Sequence, residues 1–310
     1  LVSFIHHVVQ FVVSYHNNDP ALASRLVVLP FRGVHIMRKT WLITGTSAGL
    51  GRLMTERLLE RGDRVVATLR RPGTLAELQA RHGDRLQVLI LDVTDTPALR
   101  RVVADAFERV GRIDVAVSNA AYGLFGAAEE ASDAQIERQI ATNLVGSIQF
   151  IRAVLPHMRA QGGGRIVQVS SEGGQIAYPS FSLYHATKWG IEGFVESVAQ
   201  EVRRFGIELL LVEPGPTGTR FVDGMDRTRP LLDYEDTPAG EVRRAVASGA
   251  FAIKGDAGRT VDAMIAAADS EAPPFRLALG STAYENIVRE LSKRLDAVRA
   301  QRDLAYSADR

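Results

Sequence analysis

The chain has 310 residues, and 37 Lys and Arg against 36 Asp and Glu leave a formal net charge of +1. Hydrophobic residues make up 46% and charged residues 24%, a balance that supports a large buried core and excludes disorder over most of the length. Near-neutrality removes any global electrostatic reason for nucleic acid as partner, and the absence of cysteine excludes disulfides, thiolate nucleophiles and cysteine-based zinc sites.

Residues 1–36 read differently from the rest. Leu1 to Val13 is mostly apolar, followed by Asn17-Asn18-Asp19-Pro20 and a second apolar run ending at Pro30. Thirteen residues are too few to span a bilayer, and no Lys or Arg precedes them as a secretory signal requires. The expected location is cytoplasmic, without membrane association. The first methionine is Met37, so residues 1–36 are expected to be an extension outside the core, or else an arm packing on a partner subunit. Residues 37–310 are expected to form one domain.

From Thr40 onward, short apolar runs alternate with longer segments of helical period. Strands are expected at Trp41-Leu42-Ile43, Arg64 to Leu69, Leu86 to Leu91, Ile113 to Ser118, Arg165 to Val169 and Ile207 to Val212. Helices are expected at Leu50 to Arg61, Leu75 to His82, Ala98 to Val110, Ala134 to Arg159 and Tyr184 to Phe205. Strands without polar alternation, separated by helices, imply an α/β fold: a doubly wound, Rossmann-type parallel sheet covered on both faces. Ligands are then expected at the carboxyl ends of the strands. The regularity weakens over about 217–272, the expected substrate-covering lid, with Phe221, Met225, Leu231, Leu232 and Tyr234 as its apolar candidates. Helices at Glu241 to Phe251 and Val261 to Ala268 follow, then a short strand from Phe275 to Leu279. The last helix carries a capping box at Thr282-Ala283-Tyr284-Glu285 and an inward stripe of Ile287, Leu291, Leu295 and Val298.

Thr44-Gly45-Thr46-Ser47-Ala48-Gly49-Leu50-Gly51 lies between the first strand and the first helix. Glycines there let the backbone turn tightly and approach a pyrophosphate resting on the helix N-terminus. The second strand ends Ala67-Thr68-Leu69-Arg70-Arg71, with no carboxylate to receive ribose hydroxyls. A guanidinium there suits a 2′-phosphate, so the expected cofactor is NADP(H), with Arg70 the main contact and Arg71 second. NAD(H) is the alternative.

Tyr184 and Lys188 stand four apart, one above the other on a helix face. Seven tyrosines and four lysines (Lys39, Lys188, Lys254 and Lys293) make such a pair a rare event, expected about 0.09 times by chance. Reducing a carbonyl requires a proton for the developing alkoxide, and a free phenol with a pKa of about 10 exchanges protons poorly near neutrality. A neighbouring ammonium favours the phenolate. Tyr184 is therefore the expected general acid/base and Lys188 its tuner, while Ser171, thirteen residues upstream, is placed to donate a hydrogen bond to the substrate oxygen. The seven histidines show no metal-ligand spacing. His185 is expected to face solvent.

The TGxxxGxG loop, the Tyr-x3-Lys pair and the order Asn143, Ser171, Tyr184, Lys188 resemble the short-chain dehydrogenase/reductase family from about Met37 to the C-terminus. The Ala-Thr-Leu-Arg strand end and the C-terminal region resemble its 17β-hydroxysteroid dehydrogenase-like branch. The resemblance implies that Asn143 holds a water linking Lys188 to solvent and that Lys188 also reaches the nicotinamide ribose. It implies cofactor contacts from Gly45, Thr46, Ser47, Gly49, Leu50 and Gly51, and from Asp92 and Val93 on the adenine. Asn119 would add another, although Ser118 and Ala121 replace an Asn and a Gly of the family's Asn-Asn-Ala-Gly. Pro214-Gly215-Pro216-Thr217-Gly218-Thr219 resembles the family's loop against the carboxamide, giving Pro214, Gly215, Thr217 and Thr219. The implied activity is carbonyl reduction or alcohol oxidation on a moderately apolar small molecule, by a homodimer or homotetramer. A non-catalytic NADP(H)-binding regulator is the competing reading.

Overall fold

The computed structural model describes residues 38–250 and 252–309; the expectations for residues 1–36 and for Met37 lie outside the described residues. The first apolar run forms β1 (Thr40–Thr44), and the glycine loop leads into α1 (Gly49–Arg61). β2 (Arg64–Leu69), α2 (Ala76–His82), β3 (Leu86–Ile90), α3 (Thr96–Val110) and β4 (Val115–Ser118) continue the alternation. A two-residue strand, β5 (Leu124–Phe125), precedes α4 (Asp133–Ile140) and α5 (Gly146–Ala160). β6 (Gly164–Val169), α6 (Ser182–Val202) and β7 (Ile207–Pro214) complete the second half of the sheet. The remainder is β8 (Asp226–Arg227), α7 (Pro238–Ala247), α8 (Ala257–Asp269), β9 (Arg276–Leu279), α9 (Ser281–Arg299) and α10 (Arg302–Tyr306).

Seven strands form one parallel sheet in the order β3-β2-β1-β4-β6-β7-β9, and β5 and β8 pair separately. Ile43 lies opposite Ala67 on one side and Val117 on the other. Successive strand residues point to opposite faces, so each strand feeds two cores. Leu42, Val66, Ala116, Ile166 and Leu211 pack under α3, α5 and α6 through Leu99, Val103, Phe150, Val154, Ile191 and Val195. Trp41, Ile43, Val65, Ala67 and Val117 pack under α1 and α8 through Met54, Leu58, Leu59, Val261 and Met264. Burial on both faces is why these strands carry apolar runs without alternation. The strand order reverses between β1 and β4, and the adjoining loops part at their carboxyl ends to open a cleft.

Four expectations are corrected. The helix expected from Glu241 to Phe251 is α7, which ends at Ala247 with Ser248 as its C-cap. The single helix expected over 134–159 is α4 and α5 joined by one π-turn at Ala141–Val145, a wide turn that inserts a residue and re-aims side chains, often at functional sites. Asn143 sits in it, fully buried. The capping box of α9 is absent: Gly280 is the N-cap, and no side chain caps the helix. Its inward stripe is also shorter, because only Ala283 and Ile287 are buried; Leu291, Leu295 and Val298 are 42%, 50% and 66% exposed as the helix runs off the body.

Candidate active site

The floor of the cleft is the β1–α1 loop. Gly45 has φ of +72°, and a Cβ there would stand 2.7 Å from the Ala120 Cα. A Cβ on Gly51 would overlap the Asn119 side-chain nitrogen and the Gly45 carbonyl oxygen. The Asn119 amide donates to the carbonyls of Thr44 at 2.9 Å and Gly45 at 3.1 Å, tying the β4 end to the loop. Thr46 is fully buried, with its amide and hydroxyl both donating to the Thr68 carbonyl. Thr46 and Gly51 therefore shape the loop from behind, while Gly45, Ser47, Gly49 and Leu50 line the cleft. Ala48, the N-cap of α1, offers no side-chain cap, and the first turn holds no acid. The free N–H groups there suit an anion.

At one end of the cleft stand Leu69, Arg70, Leu91, Asp92 and Val93. Arg70 is exposed at the end of β2 and Arg71 lies beyond the cleft wall. The Asp92 carboxylate accepts from the Thr94 amide at 2.9 Å and hydroxyl at 2.7 Å. Partial burial pushes its pKa up, but those two bonds and the Arg70 charge outweigh it and hold the pKa below the usual carboxylate range. Asp92 is both a turn-former and a wall of the cleft.

The other end gathers Ser171, Tyr184 and Lys188 at the edge of β6 and the start of α6. Ser171 caps the turn Glu172–Gly174, its oxygen accepting from the Gly173 amide at 3.1 Å. The Tyr184 ring stands against Phe181, Phe221 and His185, with centroids 6.3, 5.6 and 5.9 Å away. The Lys188 Nζ lies 5.6 Å from the centre of that ring and donates to the Val169 carbonyl at 3.0 Å. Burial pushes the Tyr184 phenol up to about 12, against a hydrogen bond with Ser171 that lowers it, while Glu172 and Glu192 raise it further. Burial brings Lys188 down to about 8, with Glu192 opposing. The expectation that Lys188 depresses the phenol is thus corrected for this arrangement. The Lys188 ammonium is directed at the Val169 carbonyl, and burial of the phenol is the larger effect. Asn143 joins the group from the π-turn: its oxygen accepts from the Tyr122 amide at 3.1 Å, and its amide donates to the Tyr122 carbonyl at 2.8 Å.

Pro214, Gly215, Thr217 and Thr219 line the cleft beyond β7. Thr217 donates to the Gly215 carbonyl at 2.8 Å, and the Thr219 oxygen accepts from the Phe221 amide at 3.2 Å. Phe221 and Met225 face the cleft, whereas Leu231, Leu232 and Tyr234 do not. The reason is local. The Leu231 amide is held by Glu130, a fully buried carboxylate that also binds Ala127, Thr228 and Arg243, and this turns the following residues outward. His185 is also corrected: it is buried and lines the cleft, Nδ1 against the Gly173 carbonyl at 2.9 Å and Nε2 accepting from the Tyr178 amide at 3.0 Å. Adjacent helix positions do face different ways, but the Glu172–Tyr178 turn covers the second face. Glu172 and Tyr178, which no motif marked, also border the cleft and are joined by a 2.8 Å bond. Among the described residues no helix is long and apolar enough to cross a membrane, and no three His, Asp or Glu side chains form a metal-binding group.

The cleft holds about 660 Å³, and comparison with known proteins gives that geometry its context. A family model described as short chain dehydrogenase matches residues 39–230. Oxidoreductase BOA17 of Botryotinia fuckeliana is 34% identical over 250 residues, 80% of this chain and 91% of its own. The 17-beta-hydroxysteroid dehydrogenase type 1 of Homo sapiens is 36% identical over 197 residues, 60% of this chain and 59% of its own. A solved short-chain dehydrogenase from Streptomyces avermitilis is 34% identical, with a TM-score of 0.81 over 89% of this chain and 100% of that one. Other solved chains of this fold are in complex with NADP or with NAD. Motifs, topology and relatives agree: the chain belongs to the short-chain dehydrogenase family of oxidoreductases, in a branch that includes a 17β-hydroxysteroid dehydrogenase.

Proposed function

We propose that the chain is an NADP(H)-dependent oxidoreductase that interconverts a carbonyl and a secondary alcohol on a small, moderately apolar molecule. The observation that carries this is a single cleft with a phenol, a serine hydroxyl and a lysine at one end and an arginine at the other. The glycine cradle and uncapped helix terminus between them fit a pyrophosphate. When bound, the nicotinamide would supply or accept the hydride.

The chain's own residues do the rest. Arg70 would hold the 2′-phosphate, Asp92 and Val93 the adenine, and the loop from Gly45 to Leu50 the diphosphate, with Asn119 fixing that loop. Thr219, Thr217, Gly215 and Pro214 would border the carboxamide. Ser171 would donate to the substrate oxygen, and Tyr184 would deliver the proton. Burial holds the phenol in its protonated form, the form that gives up a proton to a developing alkoxide. Asn143, braced against Tyr122, would carry the proton path from Lys188 toward solvent. Phe181, Phe221 and Met225 exclude water and set the apolar character of the substrate.

Purified protein should consume NADPH with at least one of a panel of aldehydes and ketones, and kcat/KM should favour NADPH over NADH. Arg70→Ala should reduce kcat/KM for NADPH roughly 10- to 100-fold, the effect of losing a charge-assisted bond worth about 1.5–3 kcal/mol, and leave NADH unchanged. An unaltered ratio would transfer the cofactor assignment to NAD(H). Tight cofactor binding without turnover on any carbonyl would instead make the chain a regulator. Residues 1–36 are proposed to stand outside the catalytic fold, a reading supported by a family match that begins at residue 39. A homodimer or homotetramer built on α5 and α6, located in the cytoplasm, rests on the family resemblance.

A further inference from the structure

We propose that Glu192 is a positioning residue for the reaction, a buried carboxylate that holds the charge of Lys188 in place from one helical turn below it. This rests on the reading of Tyr184 and Lys188 as the proton-transfer pair.

Glu192 follows Lys188 by four residues on α6, so the two share a helix face. Its side chain is 3% exposed, yet both of its oxygens are engaged by donors from other elements. The Ser170 hydroxyl donates to Oε1 from the end of β6. The Arg276 guanidinium donates to Oε2 at 2.6 Å from β9. Gly174 closes the other side, and a Cβ there would overlap the carboxylate. Arg276 also pairs with Glu213 of β7, which is 1% exposed, and with Glu196 of α6 at 2.6 Å. Gln175 donates to the second Glu213 oxygen at 2.6 Å.

Counting charge explains the arrangement. Behind the cleft, the Arg276 guanidinium is shared by two buried carboxylates and by Glu196, Glu172 is a third buried carboxylate, and Lys188 is a buried cation beside them. It is 2% exposed and makes its hydrogen bond to an uncharged carbonyl. A buried cation without a nearby anion loses its proton readily. Burial lowers the Lys188 pKa and Glu192 opposes that fall; burial likewise raises the Glu192 pKa, and Ser170, Arg276 and Lys188 oppose that rise. Around the pair, Tyr184 stands on the same helix, Glu172 beyond Tyr184, Glu213 on β7 and Arg276 on β9. Removing the Glu192 charge withdraws a negative field from Tyr184 and Lys188 alike, so both protons leave more easily. The direction is the same for each.

The chain's low lysine count supplies the assay. Only four lysines are present, so carbon-13-labelled lysine resolves Lys188 in an NMR titration of the whole enzyme without any substrate. Lys188 should titrate well below the ordinary lysine value of about 10.4. Glu192→Gln keeps the shape and one acceptor oxygen for Arg276, with its amide donating to the Ser170 oxygen in a reversed bond, and should lower the Lys188 pKa by about one unit, a tenfold change in its proton affinity. In turnover, the alkaline limb of carbonyl reduction should move to lower pH by a similar amount. Glu192→Asp, which retains the charge, should restore at least half of the shift, and Glu192→Leu, which removes the charge at similar volume, stands in should the Gln variant not fold. A loss of thermal stability with Lys188 and the alkaline limb unmoved in the charge-removing variant would overturn the proposal. Because the titration needs neither NADPH nor a ketone, its outcome is separate from that of the proposed function.

Discussion

Tyr184→Phe should lower turnover of a carbonyl substrate by 10²- to 10⁴-fold, the usual loss when a positioned acid is removed. The affinity for NADPH should stay within about twofold of the parent by the same logic of a change confined to proton transfer. The phenol is 9% exposed, and its ring is wedged among Phe181, Phe221 and His185. Phenylalanine keeps those ring contacts and removes only the oxygen that meets Ser171. It also removes a buried hydroxyl whose ionisation is resisted by burial and by Glu172 and Glu192. The fold should therefore hold, and thermal unfolding should show no loss beyond about 1 kcal/mol, the ordinary worth of one hydrogen bond. The check is kcat, KM and a direct cofactor titration on the same preparation. Turnover above half of the parent value would remove Tyr184 from the acid/base role and leave Ser171 or Lys188 to be tested for it.

The strand and helix order was legible because a sheet buried on both faces needs apolar runs, and the amphipathic helices that cover it carry their own period. Trp41-Leu42-Ile43 is the clear case: its residues are fully buried, split between two cores. The site was legible where chemistry forces a residue type at a short spacing, as with Tyr184 and Lys188. It was not legible where partners meet across the fold. Glu192, Arg276 and Glu213 come from three elements and carry no local signature. His185 shows the same limit. Helical geometry gave its direction correctly, but not that the turn from Glu172 to Tyr178 would cover that direction and bond both ring nitrogens. The π-turn at Asn143 is another such case, since its extra residue has no mark in hydrophobic period. The α9 stripe failed in the opposite sense. Leu291, Leu295 and Val298 have helical spacing, and periodicity does not say whether a neighbour is present to be packed against.

Gly51→Ala should give the reverse kinetic signature from Tyr184→Phe: a large loss of cofactor affinity with chemistry largely retained at saturation. Gly51 lies in the first turn of α1 and does not itself line the cleft. Its importance is spatial, because an added methyl overlaps the Asn119 amide and the Gly45 carbonyl oxygen. Neither neighbour yields easily. The Asn119 amide is already committed to the carbonyls of Thr44 and Gly45, and Gly45 is itself pressed against Ala120. Relief requires α1 to back away from β4, which moves the amides of Ser47 to Leu50 that would hold a diphosphate. Forcing a methyl into such packing costs about 1–3 kcal/mol, and misplacing several charge-assisted bonds should add up to roughly a 100-fold rise in the Kd for NADPH. At saturating cofactor, kcat should stay within about threefold, since Ser171 follows β6 and Tyr184 and Lys188 are carried by α6, a helix that packs in the other core from α1. Isothermal titration with NADPH, paired with kcat at saturation, separates the two effects. An alanine at this position that binds NADPH as tightly as the parent would show that the loop accommodates the methyl without moving, and that the closeness of Gly51 to Gly45 is not what shapes the cradle.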